Sequence, residues 1–329
     1  MRLDELLEKK GVSSQKIGTY YTLCSALCYT VSLSVLRIMT NYPEVSSDWS
    51  IAVKEAVCCL LVLPFIAVRA FRGQYKFPAF GIFLALVLAG FLCEILGARP
   101  HLAAYAFLGL ALVAPILQAG QLILASIIGA TWLKERVTVS KIIALVTLVA
   151  AVFLLSQNNG EANKIAGQDM KIGLGLLCAL CTSFGYCMQV SIMRRVIRID
   201  EPAEGGKAAT KNGAERVPAS YIMLVVTGVG VVACGLIFTC QHGFAAWTEP
   251  PAPCWIYVLI AGVFNAIGFY FQIESLRRLY LLKQSLVATA QTGALCLAGI
   301  FFFHESFGVM AVVGLILLAA GVFISTLSK

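Results

Sequence analysis

Five stretches of this chain, Leu102–Leu133, Ile172–Met193, Val217–Thr248, Pro250–Ile273 and Ser306–Ser328, contain no Asp, Glu, Lys or Arg. Each is long enough to cross the hydrocarbon core of a bilayer, which takes about 20 mainly apolar residues in a helix. The backbone of such a stretch satisfies its own polar groups in lipid only by forming a helix or a closed barrel. By length and lack of charge these runs read as spanning helices. With 59% hydrophobic and 13% charged residues, the chain suits a bilayer better than water.

Hydropathy and loop signals together give ten spans, at about 17–39, 49–68, 79–98, 103–131, 139–157, 171–193, 219–240, 255–275, 284–303 and 307–327. The fold class is therefore all-α, a polytopic membrane protein with ten transmembrane helices. The first sixteen residues lack the apolar core and small-residue cleavage site of a secretory signal. Leu3, Leu6 and Leu7 there suit either a short surface helix or a solvated tail.

A cytoplasmic N-terminus places 20 of the 25 Lys and Arg residues in inside segments. Arg99, Lys164 and Lys171 fall outside, with Arg37 and Lys54 near helix ends. The positive-inside rule then puts both termini in the cytoplasm, and the plasma (inner) membrane is the expected location. The same rule accounts for the net charge of +8 without a nucleic-acid partner, for which there is no basic helix or aromatic-basic surface. The segment Ile199–Pro218, rich in Gly, Ala and charge, reads as a cytoplasmic linker.

Cys24, Cys28, Cys58, Cys59, Cys93, Cys178, Cys181, Cys187, Cys234 and Cys296 all lie inside apolar segments, where Cys serves as a small hydrophobe. Cys178 and Cys181 form a CxxC pair, but with no nearby His or second pair no metal or cofactor is expected.

An internal repeat divides the chain. Ala26-Leu27-Cys28 recurs as Ala179-Leu180-Cys181, an offset of 153, and the run ending at Glu135 parallels the run ending at Glu305, an offset of 170 that also superimposes Gln121 on Gln291. The units are an N-terminal segment 1–16, a first repeat 17–157, an outer loop 158–170, and a second repeat 171–327 holding the linker 199–218. Five spans per repeat is odd, so the second copy enters the bilayer inverted.

On the residues Trp132-Leu133-Lys134-Glu135-Arg136-Val137-Thr138 and Phe303-His304-Glu305-Ser306-Phe307-Gly308, followed by Gly314 and Gly321, the chain resembles the drug/metabolite transporter superfamily, in particular its EamA-like members. The resemblance implies a secondary transporter, with a central cavity lined by spans 1, 3, 4, 6, 8 and 9. It departs at Lys134, where the family usually has Gly, and at Ala144 and Ala151, where closing-helix glycines are common.

Glu94 is the only ionisable residue of span 3, and a carboxylate in the bilayer needs a cavity or a partner. It suits a proton-coupling group, a counter-charge for a substrate amine, or a structural acid paired with Arg99 or His101. Gln121 and Gln291 both donate and accept hydrogen bonds, as a polar solute pathway or interhelical glue requires. Gln118 shares the face of Gln121. Tyr29 on span 1, Tyr186 and Gln189 on span 6, and Asn265 and Tyr270 on span 8 are further pathway candidates.

Lys54 and Glu55 are expected to snorkel at the outer interface, Glu135 and Glu305 to anchor helix ends, and Arg194, Arg195, Arg277 and Arg278 to act as topology signals and headgroup contacts. His101, His242 and His304 map to the outer face. The partners to expect are a small-molecule substrate and the lipid bilayer, with a coupling proton and a second copy of the chain in a homodimer left open. An intramembrane enzyme is disfavoured because Asp4, Asp48, Asp169 and Asp200 all lie in expected loops or tails, and neither HExxH nor GxSxG occurs. A receptor or scaffold that lost transport is the third reading.

The charge asymmetry makes orientation testable. A tag at either terminus, or one inserted near Gly213, is expected to be reachable only from the cytoplasm; labelling of one terminus from outside would overturn the ten-span arrangement.

Overall fold

The computed structural model describes residues 12–39, 41–42, 44–73, 78–108, 110–135, 138–156, 169–198, 217–303 and 308–327. The expected surface helix around Leu3–Leu7, most of the outer loop 158–170, most of the linker 199–218, and the residues His304 and Glu305 lie outside these. The described residues are helical with no strand. In chain order the helices are α1 (Ser14–Met39), α2 (Ser47–Phe71), α3 (Phe80–Phe91), a π-helical stretch (Leu92–Ala98), α4 (Arg99–Leu108), α5 (Leu110–Thr131), α6 (Val139–Ser156), α7 (Asp169–Arg198), α8 (Ala219–His242), α9 (Ala252–Leu276), α10 (Leu281–Ala288), α11 (Ala290–Phe303) and α12 (Val309–Leu327).

Among the described residues, eight helical units are long and apolar enough to span a bilayer, with α3 to α4 and α10 to α11 each counting as one; shorter apolar helices lie within α6 and α12. Phe65, Phe71, Phe153, Phe301 and Phe302 point outward, as suits a surface in contact with acyl chains.

One boundary differs from the sequence expectation. Arg99 and Pro100 read as an outer loop between spans 3 and 4, yet the third span runs on from Phe80 to Leu108. The π-helical turn explains how. Pro100 has no N–H to donate to the preceding turn, and its ring would clash with the carbonyl there. Widening the helix over Leu92–Ala98, with the Arg99 N–H reaching back to the Glu94 carbonyl, absorbs the misfit without breaking the span.

The packing repeats under exchange of the two halves. α1 lies on α9, and α7 lies on the π-helical stretch and α4; α1 lies on α11, and α7 on α5; α2 lies on α9, and α8 on α3. The pairs α2–α8, α5–α11 and α6–α12 join each helix to its own counterpart. In the last pair Ala144, Leu148 and Ala151 form the buried face of α6, and Gly314, Leu318 and Gly321 that of α12, at the same spacing. A Cβ added at Gly321 would meet the Leu148 side chain at 2.6 Å, so glycine there lets the helices close on one another.

Glu135 and Arg194 tie the two halves together. Glu135 follows the end of α5, accepts from Arg194 Nε of α7 at 3.2 Å, and accepts from the Leu281 N–H at the start of α10 at 2.7 Å. Arg194 also donates to the Leu276 carbonyl at the end of α9. Arg194 is 2% exposed, so it is not the headgroup contact expected of it; its charge is buried against a carboxylate and a helix C-terminus. Arg195 is exposed and stacks over Trp132.

Lys134 has φ +52°. The left-handed region costs a residue with a Cβ about 1–2 kcal/mol, a physical reason for the glycine that the resemblance implies at this position. Because Lys134 is exposed, Lys134→Gly is expected to raise stability by about 0.5–1 kcal/mol, read as a higher thermal midpoint of the purified protein. Lys134→Val should lower it.

Candidate functional site

The halves enclose a cavity of about 160 Å³ lined by every helical span except α6 and α12. Its walls begin with hydroxyls on one face of α1. Thr22, Ser25, Tyr29 and Ser32 recur at helical spacing, and they bond across to the second half instead of to lipid. Ser25 donates to the Gly268 carbonyl at 2.8 Å and Tyr29 to Gln272 Oε1 at 2.8 Å.

The same set recurs on α7. Thr182 donates to the Gly97 carbonyl at 3.1 Å, and the Tyr186 hydroxyl lies 3.1 Å from His101 Nδ1. The two sets superimpose Ser25 on Thr182 and Tyr29 on Tyr186 at an offset of 157, and Gly97 on Gly268 and His101 on Gln272 at an offset of 171. This corrects the offset of 153 read from Ala-Leu-Cys by four residues, close to one helical turn. A match of three small apolar residues recurs easily in apolar helices, whereas a hydroxyl bonded to a partner carbonyl admits one register.

Glycines allow these approaches. A Cβ at Gly185 would meet the Gly97 nitrogen at 2.6 Å and the Leu92 carbonyl oxygen at 2.7 Å, so α7 presses directly on the π-helical stretch that carries Glu94.

Of the sequence candidates, Glu94, Gln118, Gln121, Gln291, Tyr29, Tyr186, Gln189 and Asn265 all line the cavity. Gln118 donates to Thr289 Oγ1 at 3.3 Å. Tyr270 is 44% exposed and stands outside. It is two residues short of Gln272, and two residues on a helix turn a side chain well away from the inward face.

The largest departure is at Lys54 and Glu55. They do not snorkel at an interface: they are 8% and 2% exposed and line the cavity from α2. Lys54 Nζ lies 2.7 Å from Glu55 Oε1, which also accepts from Asn265 Nδ2 at 3.4 Å. Nor does Glu94 hold Arg99 or His101. Arg99 makes a two-point pair with Asp48, which sits buried in the first turn of α2 instead of in a loop, and His101 faces Tyr186 inside the cavity instead of the outer loop. His242, at the end of α8, is exposed.

Sequence reasoning also passed over Gln272 and Gln284. Gln284 stands one heptad before Gln291, a spacing that places both on one helix face.

Residues 208–327 match the EamA-like transporter family. The match spans α8 to α12 and agrees with the resemblance to the drug/metabolite transporter superfamily; the first repeat joins this EamA-like half through the exchange of helix contacts described above. A solved crystal structure is similar at a TM-score of 0.66, over 96% of this chain and 98% of that one, with 16% identity. At that identity the likeness concerns the fold. Comparison with curated proteins finds no match.

The cavity's ion pair carries a stability prediction. Lys54→Met leaves Glu55 buried without its partner and is expected to cost about 3 kcal/mol, seen as a lower thermal midpoint. The double change Lys54→Met with Glu55→Gln should recover most of the loss. Equal stability of the single variant and the native protein would show that the pair is well hydrated.

Proposed function

We propose that the protein is a secondary transporter that carries a small polar solute by alternating access, with the EamA-like halves rocking about the central cavity. The observation that carries this reading is the polar cavity itself. It is built at the seam of two exchange-related halves, from Gln121 and Gln291 at matching positions and from tyrosines 29 and 186 at matching positions. Polar side chains at membrane depth are costly unless they face water or a ligand. A cavity seated on the pseudo-two-fold of inverted repeats can face either side by exchange of the halves' conformations.

Three observations support the details. The amide lining from both halves suits a small polar metabolite or an amino-acid-like solute. The Glu135–Arg194 pair joins the end of α5 to α7 and to the α9–α10 turn, and its geometry suits a latch on the side where those helices end. The distribution of Lys and Arg supports cytoplasmic termini, and we place the protein in the plasma (inner) membrane. Proton coupling through Glu94 fits the same site. The matched family is one of transporters, and the reading here is not that of an enzyme.

The test is flux into proteoliposomes. Gln121→Ala and Gln291→Ala are expected to weaken substrate affinity about tenfold each, a lost hydrogen bond in a buried site, while inserting and purifying as the native protein does. Poor folding of both, with native transport by the surviving fraction, would assign the glutamines to helix packing instead.

A further inference from the structure

The charged lining of the cavity is one-sided. Lys54, Glu55, Glu94 and His101 come from α2, the π-helical stretch and α4, all in the first half. At the exchange-related positions of the second half, Asn265 stands for Glu94 and Gln272 for His101. One half thus presents ionisable groups where the other presents amides.

The ionisable cluster is incomplete as it stands. Glu55 Oε1 is occupied by Lys54 and Asn265, but Glu55 Oε2 has no hydrogen-bond partner, and neither has Glu94 Oε2. Both residues are 2% exposed. Their side chains converge on Gly230 of α8, where an added Cβ would lie 2.9 Å from Glu55 Cγ and 3.0 Å from Glu94 Cγ. The missing side chain is what lets the two carboxylates share one recess. With Lys54 offsetting one carboxylate, the cluster keeps one negative charge when both are ionised, and Lys54 is the one Lys or Arg among the described lining residues.

Resting on the transport reading above, we infer that Glu55 and Glu94 seat the ammonium group of a small organic monocation whose uncharged end hydrogen-bonds to the cavity amides. The free Oε2 atoms of Glu55 and Glu94 accept from the ammonium, which supplies up to three donors. Gln121, Gln284 and Gln291 offer both donors and acceptors to hydroxyl or amide groups at the other end. A carboxylate or phosphate on the solute finds no unpaired cation among the described lining residues, and its desolvation goes uncompensated, so the seat narrows the solute classes above to amines that carry no acid group.

Four probes of one chain length separate the possibilities: 5-amino-1-pentanol, 1,5-pentanediol, 5-aminopentanoate and 5-hydroxypentanoate. Thermal stabilisation of the purified full chain, which reports binding by mass action, is expected with 5-amino-1-pentanol. The diol and the hydroxy acid should not stabilise, and the zwitterion should bind at least about tenfold more weakly. Glu94→Gln should weaken the amino alcohol about tenfold or more, and Glu94→Asp, which keeps the charge, should restore part of the loss. Stabilisation by the diol or either acid equal to that by the amino alcohol overturns the seat, as does no stabilisation by the amino alcohol or its unchanged binding to a folded Glu94→Gln variant. Binding that follows this pattern with no flux into proteoliposomes would sink the transport reading and leave the seat standing. Flux of an uncharged solute indifferent to Glu94→Gln would do the reverse.

Discussion

The structure depends on hydroxyl-to-carbonyl bonds that cross between its halves at glycines. Ser25 reaches the Gly268 carbonyl and Thr182 the Gly97 carbonyl. In lipid there is no hydrophobic drive to bring apolar helices together, so contact must come from close packing and from polar groups that find one another. Both conditions are met at the same places. The glycines remove the side chains that would hold the backbones apart, and the hydroxyls fix the register once they have approached.

That seam also sets where the cavity lies. α1 against α9 and α7 against the π-helical stretch are exchange-related pairs, and their tyrosines, one turn beyond the seam hydroxyls, project into the space between the halves. The widened π-helical turn carries Glu94 into that space. Without it Pro100 would break the helix, and the third span would end before His101 could face Tyr186. A backbone irregularity here is inseparable from the placement of a charged group.

Burial of charge follows two patterns. Glu135 and Arg194 are satisfied on all sides: by each other, by a helix start and by a helix end. The Lys54, Glu55 and Glu94 group is left with free carboxylate oxygens. The first pattern suits a joint between helices and the second a surface that meets a ligand. Of the described residues that carried the family resemblance, Glu135 belongs to the joint and Gly321 to the contact of α12 with α6; those facing the cavity are of another kind, and a fold shared with relatives need not bring their substrates with it.

The apolar runs and the repeat of Gln121 in Gln291 were legible in the sequence, because a bilayer demands about 20 apolar residues per helix and any polar residue within one stands out. Glu94 stood out for that reason, and so did Tyr29, Tyr186 and Asn265. Lys54 and Glu55 were misread because a charged pair near the start of a span looks the same whether it faces headgroups or a cavity; only the position of α8, with Gly230 against both Glu55 and Glu94, decides between them. Tyr270 was misread for the converse reason, since hydropathy says that a helix is in the membrane but not which face lipid touches. The sequence by itself determined that this chain is a bundle of membrane helices in two related halves, since the cost of unsatisfied backbone in lipid is local to each span. Which side chains meet was decided by the tertiary structure alone, because rotation and register between helices depend on glycine contacts and on hydrogen bonds between residues far apart in the chain, such as Ser25 and Gly268, separated by 243 positions.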